Sequence, residues 1–140
     1  ILLILKGIAT KSKWSLDNLY RTYEKTFPKK SVIQNRFRNV MDSIDQLLGS
    51  AFKNSVFSHK TLFYYIFALV YDFQYRLGTN LVDSRPKNVP HKFTRFFEHI
   101  NNLFIKGKVP KELLNLATRR SSSEVRRKIY TYLKSEFRRA

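Results

Sequence analysis

Residues 62–71 read Leu62-Phe63-Tyr64-Tyr65-Ile66-Phe67-Ala68-Leu69-Val70-Tyr71, a run with no polar side to turn toward water. A membrane span needs roughly 20 such residues, and Asp72, Gln74 and Arg76 follow at once, so a lipid-crossing helix is not the expectation. A segment apolar all round has to be covered on all sides, which predicts a central helix beginning at Ser58 and closed by Gly78 as its glycine cap. Enough material exists to cover it. Of the residues, 43% are hydrophobic and 15% aromatic, and the 12 Phe and 8 Tyr are spread along the chain. One domain over residues 1–140 is expected, as a piece of a longer protein.

The covering segments carry a helical period. Ser15 and Asp17 suit a helix start, with Trp14 stapled on Leu19, and Pro28 ends that helix. Ser31 and Gln34 have capping-box spacing, followed by Ile33, Phe37, Val40, Ile44, Leu47 and Leu48 at steps of three and four until Gly49. Residues 79–89 hold Asp83, Ser84, Pro86 and Asn88 without a period and read as a surface loop. Beyond it, Pro90 opens a helix through Phe93, Phe96, Phe97, Ile100, Leu103 and Phe104 that Gly107 closes, and a short helix follows Pro110. A second capping box, Ser121 to Glu124, leads a last helix with Val125, Ile129, Tyr132 and Leu133 as its buried stripe. With no credible strand pair, the expected class is all-α, a compact bundle of about six helices.

Charge narrows the function. Twenty-seven Lys and Arg against 10 Asp and Glu give +17 and a pI near 10.3, which favours a polyanionic partner, nucleic acid first and DNA before RNA. The plainer alternative is a solvated, solubilising surface. Zero cysteines exclude disulfides, thiolate zinc sites and cysteine nucleophiles. The start, Ile1 to Ile8, lacks the marks of a signal peptide, so a cytoplasmic setting without a membrane partner is expected.

Catalytic and cofactor chemistry finds little support. Gly7, Gly49, Gly78 and Gly107 are isolated, so no glycine-rich phosphate loop is present. His59, His91 and His99 form no metal-ligating pair. Glu98-His99-Asn101 invites comparison with a metal-dependent nuclease, but a surface or half-buried His99 accounts for it better. Asp42 and Asp45, three apart, could share a cation, though balancing Arg36 and Arg38 explains them more simply. The expectation is no catalytic residue, no metal and no cofactor in this chain.

The densest cationic stretch lies between Arg119 and Arg139, with eight basic residues against two acidic ones. At 100° per residue Arg127, Lys134 and Arg138 fall together, opposite Val125, Ile129 and Tyr132, and Arg119, Arg120 and Arg126 sit at or near the N-terminal end of this ridge. Lys11 and Lys13 begin a second cluster that Lys29, Lys30, Arg36 and Arg38 could join. Tyr20, Tyr23 and Tyr75 could stack on bases, but at helical spacing they are expected to be core.

Two segments, Arg36-Phe37-Arg38-Asn39-Val40 with Leu47-Leu48-Gly49, then Phe57-Ser58-His59-Lys60-Thr61-Leu62-Phe63-Tyr64-Tyr65-Ile66-Phe67-Ala68-Leu69, resemble the helical part of the ParB-like GmrSD-type restriction endonucleases. Arg120 and Arg126-Arg127 match that family's arginine-containing helix further on, so the resemblance covers residues 15–138. The family's catalytic part is an N-terminal ParB-like domain with an Asp-Gly-Gln-Gln-Arg motif, which is absent here, so no active-site residue carries over. The resemblance implies a helical accessory domain of a bacterial restriction or phage-defence protein, holding DNA for cleavage elsewhere. The rival expectation is a structural module that packs on a partner or on the rest of the parent chain, with the apolar stretch Ile1 to Ile8 as its junction.

Overall fold

The computed structural model describes residues 3–4, 21, 29–114 and 123–139, and every described element is helical. Helix α1 spans Lys30–Leu48 and buries Ile33, Arg36, Val40 and Ile44, spaced by three, four and four along one side. The expected capping box is not used. Lys29 precedes the helix in the left-handed region (φ 57) with no side-chain cap, and Ser31 and Gln34 are exposed. Phe37, one step off that buried line, is 48% exposed, while Arg36 is only 3% exposed.

Gly49 ends α1 with φ 50, and the chain tightens into two 3-10 turns, Gly49–Asn54 and Val56–Ser58. Ser55 joins them, its hydroxyl accepting from the Phe57 N–H at 3.3 Å. The central helix therefore starts later than Ser58. Helix α2, Lys60–Tyr75, buries Leu62, an unbroken stretch from Tyr65 to Tyr71, and Gln74 and Tyr75, as its all-round apolarity predicts. Its end also differs from expectation: Arg76, not Gly78, is the first residue past the helix with positive φ (65). Side chains close it instead. Asp72 Oδ1 accepts from the Leu77 N–H at 2.9 Å, and the Thr79 hydroxyl donates to the Tyr75 and Arg76 carbonyls at 2.9 and 2.8 Å.

Residues 79–89 form no regular element, as read from the sequence. Helix α3, Lys92–Ile105, follows the turn at Pro90, whose carbonyl accepts from the Phe93 N–H at 3.0 Å, and buries Phe93, Phe96, Phe97 and Ile100. Gly107 (φ 67) ends it as expected: its N–H reaches the Phe104 carbonyl at 3.1 Å and the Lys108 N–H reaches Leu103 at 2.8 Å, the paired bonds of a Schellman motif. Helix α4 is one short turn, Lys111–Leu114, with Leu113 buried.

Helix α5, Ser123–Arg139, buries Ile129, Tyr130 and Leu133. The expected stripe named Tyr132 and omitted Tyr130. The face is set by Phe137, seven residues after Tyr130, which packs on Phe93 with ring centroids 4.4 Å apart, and seven residues is close to two whole turns. Five helices are thus described, four of 14 to 19 residues and the short α4. The predicted first helix, after Trp14, lies outside the described residues. No described helix is long and apolar enough to cross a membrane.

Candidate nucleic-acid interface

The ridge read from the sequence falls on α5. Arg127 and Arg138 are exposed there, so two of its members face water. Lys134 leans back toward the bundle, its ammonium 3.1 Å from Asp72 Oδ2. Arg126 is half-buried with its guanidinium 5.3 Å from the centroid of the Tyr64 ring. Lys11, Lys13, Arg119 and Arg120 lie outside the described residues.

Asp72 is the hub that fixes Lys134. Besides the Lys134 ammonium it accepts from the Tyr130 hydroxyl at 2.6 Å and the Leu77 N–H at 2.9 Å. Burial pushes its carboxyl up, but the Tyr130 hydroxyl, the Leu77 N–H and the Lys134 cation together outweigh it and hold the group below its ordinary 3.8. Burial and the Asp72 carboxylate both push the Tyr130 phenol above its ordinary 10.0. Tyr132 is raised as well, by burial and by Glu136, with Arg139 opposing.

Helix α3 adds cations that the sequence reading passed over. Phe137 meets Phe93 and, edge-on at 5.4 Å, Phe96, and the Lys92 ammonium lies 4.7 Å from the Phe137 ring centroid. Lys92 therefore stands beside the turn of α5 that carries Arg138, with exposed Arg95 one turn further along α3. The contacts of Phe137 with Phe93 and Phe96 bring these charges together, and no local spacing announces them.

Acidic partners are few. Among the described residues the ion pairs are Lys128 with Glu124 at 3.6 Å, Lys134 with Asp72, Arg139 with Glu136 at 3.4 Å, and His99 with Glu136 at 3.2 Å. Arg127, Arg138, Lys92 and Arg95 have no described carboxylate partner. On the outer side of α5, Glu124, Arg127, Lys128, Thr131, Tyr132 and Ser135 line a shallow groove of about 550 Å³, in which Glu124 is paired with Lys128. Arg127, Thr131 and Ser135 follow one another at i, i+4 spacing, a row of donors of the type that contacts phosphate oxygens.

Other candidates resolve differently. Tyr75 is 8% exposed, beneath the Arg36 guanidinium at 4.6 Å and against Tyr71, so it is core. Tyr20 and Tyr23 lie outside the described residues. His99 pairs with Glu136, the Asn101 Oδ1 accepts from the Val56 N–H at 3.0 Å, and Glu98 is exposed. No group of His, Asp or Glu able to hold a metal exists among the described residues. Arg36 does not balance Asp42 or Asp45: it donates to the Tyr71 hydroxyl at 3.0 Å and to the Asn80 and Val82 carbonyls at 3.3 and 2.8 Å.

Comparison with known protein families, curated proteins and solved structures finds no match for this chain.

Proposed function

We propose that this chain is a nucleic-acid-binding accessory module, DNA being the first candidate ligand, that grips phosphates through the α5 ridge and leaves catalysis to another part of its protein. The observation that carries the reading is the uncompensated charge: a net +17 with Arg127, Arg138, Lys92 and Arg95 free of described carboxylate partners. Such a surface attracts a polyanion over a Debye length of about 8 Å at physiological salt and discriminates little between sequences. The GmrSD-type resemblance supports placing the module in a cytoplasmic bacterial restriction or defence protein, downstream of a nuclease domain. Titration of the protein with labelled duplex DNA, single-stranded DNA and RNA at several salt concentrations tests it. Affinity falling steeply with salt is expected, and absence of binding at low salt overturns the proposal.

One observation favours a second reading, a module that packs on a partner protein or on the rest of its own chain. Ile4, Ile33, Phe37 and Met41 line an apolar groove of about 720 Å³, with Phe37 48% exposed. Self-association of the isolated protein, abolished by Phe37→Glu, together with no salt-sensitive binding to nucleic acid, would support it over the first.

A further inference from the structure

Two hollows open along α1. The first is the apolar groove of about 720 Å³ at Ile4, Ile33 and Phe37, and the second, of about 400 Å³, lies at Ile44, Phe52 and Phe63. Met41 lines both and joins them into one trough. Ring contacts link its two ends: Phe37 meets Phe67 at 5.5 Å, Phe67 meets Phe63 at 6.4 Å, and Phe63 meets Phe52 at 5.8 Å. Phe37 is 48% exposed, and Met41, Phe52 and Phe63 are only half-buried, so apolar surface is left facing water along the whole trough. The charge around it is mainly positive. Lys30, Gln34 and Arg38, at i, i+4 spacing, form its edge on α1, and Lys53 stands at the second hollow. The three cations are exposed and have no described carboxylate partner, and Asp45 is the one acidic residue among the described lining residues.

An apolar floor with a cationic edge calls for an apolar partner with an anionic edge. A second copy is a poor fit, since each copy carries +17 and repels the other. A lipid surface takes a convex apolar face, whereas this one is concave. Strand addition needs an open sheet edge, and every described element is helical. A helix from a partner protein meets each requirement. Its apolar side chains at i, i+3 or i+4, and i+7 enter the hollows on either side of Met41, while Asp and Glu on its flanks face Lys30, Arg38 and Lys53. From Ile33 to its end at Leu48, α1 rises about 22 Å at about 1.5 Å per residue, which a partner helix of roughly 16 residues spans. Met41, the chain's one methionine, is an unbranched side chain able to adapt to such knobs.

We infer that this trough docks an acidic amphipathic helix of a partner protein. The inference rests on the packing-module reading above and gives it a partner, and the trough shares no residue with the α5 ridge. Fluorescence anisotropy of the whole 140-residue chain with a labelled helical peptide of about 16 residues tests it. The peptide carries Leu at i, i+4, i+7 and i+11 and Glu along both flanks. A control of the same composition with the Leu positions scrambled has the same charge, so general attraction to a basic protein is common to the two. The patterned peptide is expected to bind roughly tenfold tighter than the scrambled one. Phe37→Ala should remove most of that ratio, and Arg38→Glu, at an exposed position, should weaken the patterned peptide several-fold with helicity unchanged. Equal affinity for the two peptides, or a ratio untouched by both substitutions, overturns the inference. Self-association that Phe37→Ala abolishes, without peptide binding, would keep the packing surface and remove the acidic partner. No peptide binding together with a urea midpoint lowered by Phe37→Ala would show the trough closed by the chain itself and would also overturn it. Absence of both peptide binding and self-association would remove the packing reading along with the inference.

Discussion

The Tyr130 hydroxyl donates to Asp72 Oδ2 at 2.6 Å, tying α5 to the C-terminal turn of α2 across 58 residues of sequence. The same oxygen takes the Lys134 ammonium at 3.1 Å, so the bond that docks α5 also decides which ridge cation is turned inward. Fold and surface charge meet at this carboxylate.

Tyr130→Phe keeps the ring and removes the donor, and is expected to cost about 1–2 kcal/mol at neutral pH. The pH dependence follows from the two shifts. Asp72 is held below its ordinary 3.8, so its contribution is fully present above that value and is lost as pH falls through the lower folded value. Tyr130 is raised above 10.0, so its contribution is fully present below that value and is lost as pH rises through the higher folded one. Urea unfolding should therefore show wild type and variant far apart at pH 7 and converging toward pH 2. A difference that stays constant down to pH 2 would exclude the contact as its source.

Arg36, 3% exposed, has no described carboxylate partner and instead holds the loop carbonyls of Asn80 and Val82. Arg36→Leu should lower stability by on the order of 3 kcal/mol, because two loop carbonyls and the Tyr71 hydroxyl lose a charged donor. Amides of residues 79–89 should exchange faster in hydrogen-exchange measurements than the rest of the variant accounts for. Loop protection that falls only in step with global stability would deny Arg36 its role as the loop's anchor.

The helical class, the central place of α2 and the glycine-closed end of α3 were legible in the sequence, because each follows from local spacing or from one residue's backbone freedom. What was not legible depends on distant partners. Arg36 reads as a surface cation until Tyr71 and the loop carbonyls are set around it. Tyr130 displaces Tyr132 from the buried stripe because Phe93, Phe96 and Asp72 decide how α5 rotates. The same tertiary contacts separate Lys134 from Arg127 and Arg138, which share its helical face.

Arg76 holds φ 65, a region that a side chain enters at a cost, and is exposed. Arg76→Gly is expected to raise stability by roughly 0.5–1 kcal/mol, the relief of the side-chain clash exceeding the extra chain entropy of glycine. A lowered urea midpoint would show that the Arg76 side chain makes a contact worth more than that strain.

Ridge cations with and without a carboxylate partner should separate in their salt dependence. Each phosphate contact on duplex DNA contributes about 0.9 to the slope of log affinity against log salt. Arg127→Ala and Arg138→Ala, both exposed and without described carboxylate partners, should each reduce that slope by about one and leave the urea midpoint in place. Lys134 is already matched by Asp72, so Lys134→Ala should change the slope by less than either arginine and lower stability by no more than about 1 kcal/mol, as for other partly exposed pairs. Combining the two arginine substitutions should lower the slope by about two, since residues eleven positions apart on one helix act on separate phosphates. A slope that survives both would place the phosphate contacts elsewhere on the protein and leave α5 as a packing element alone.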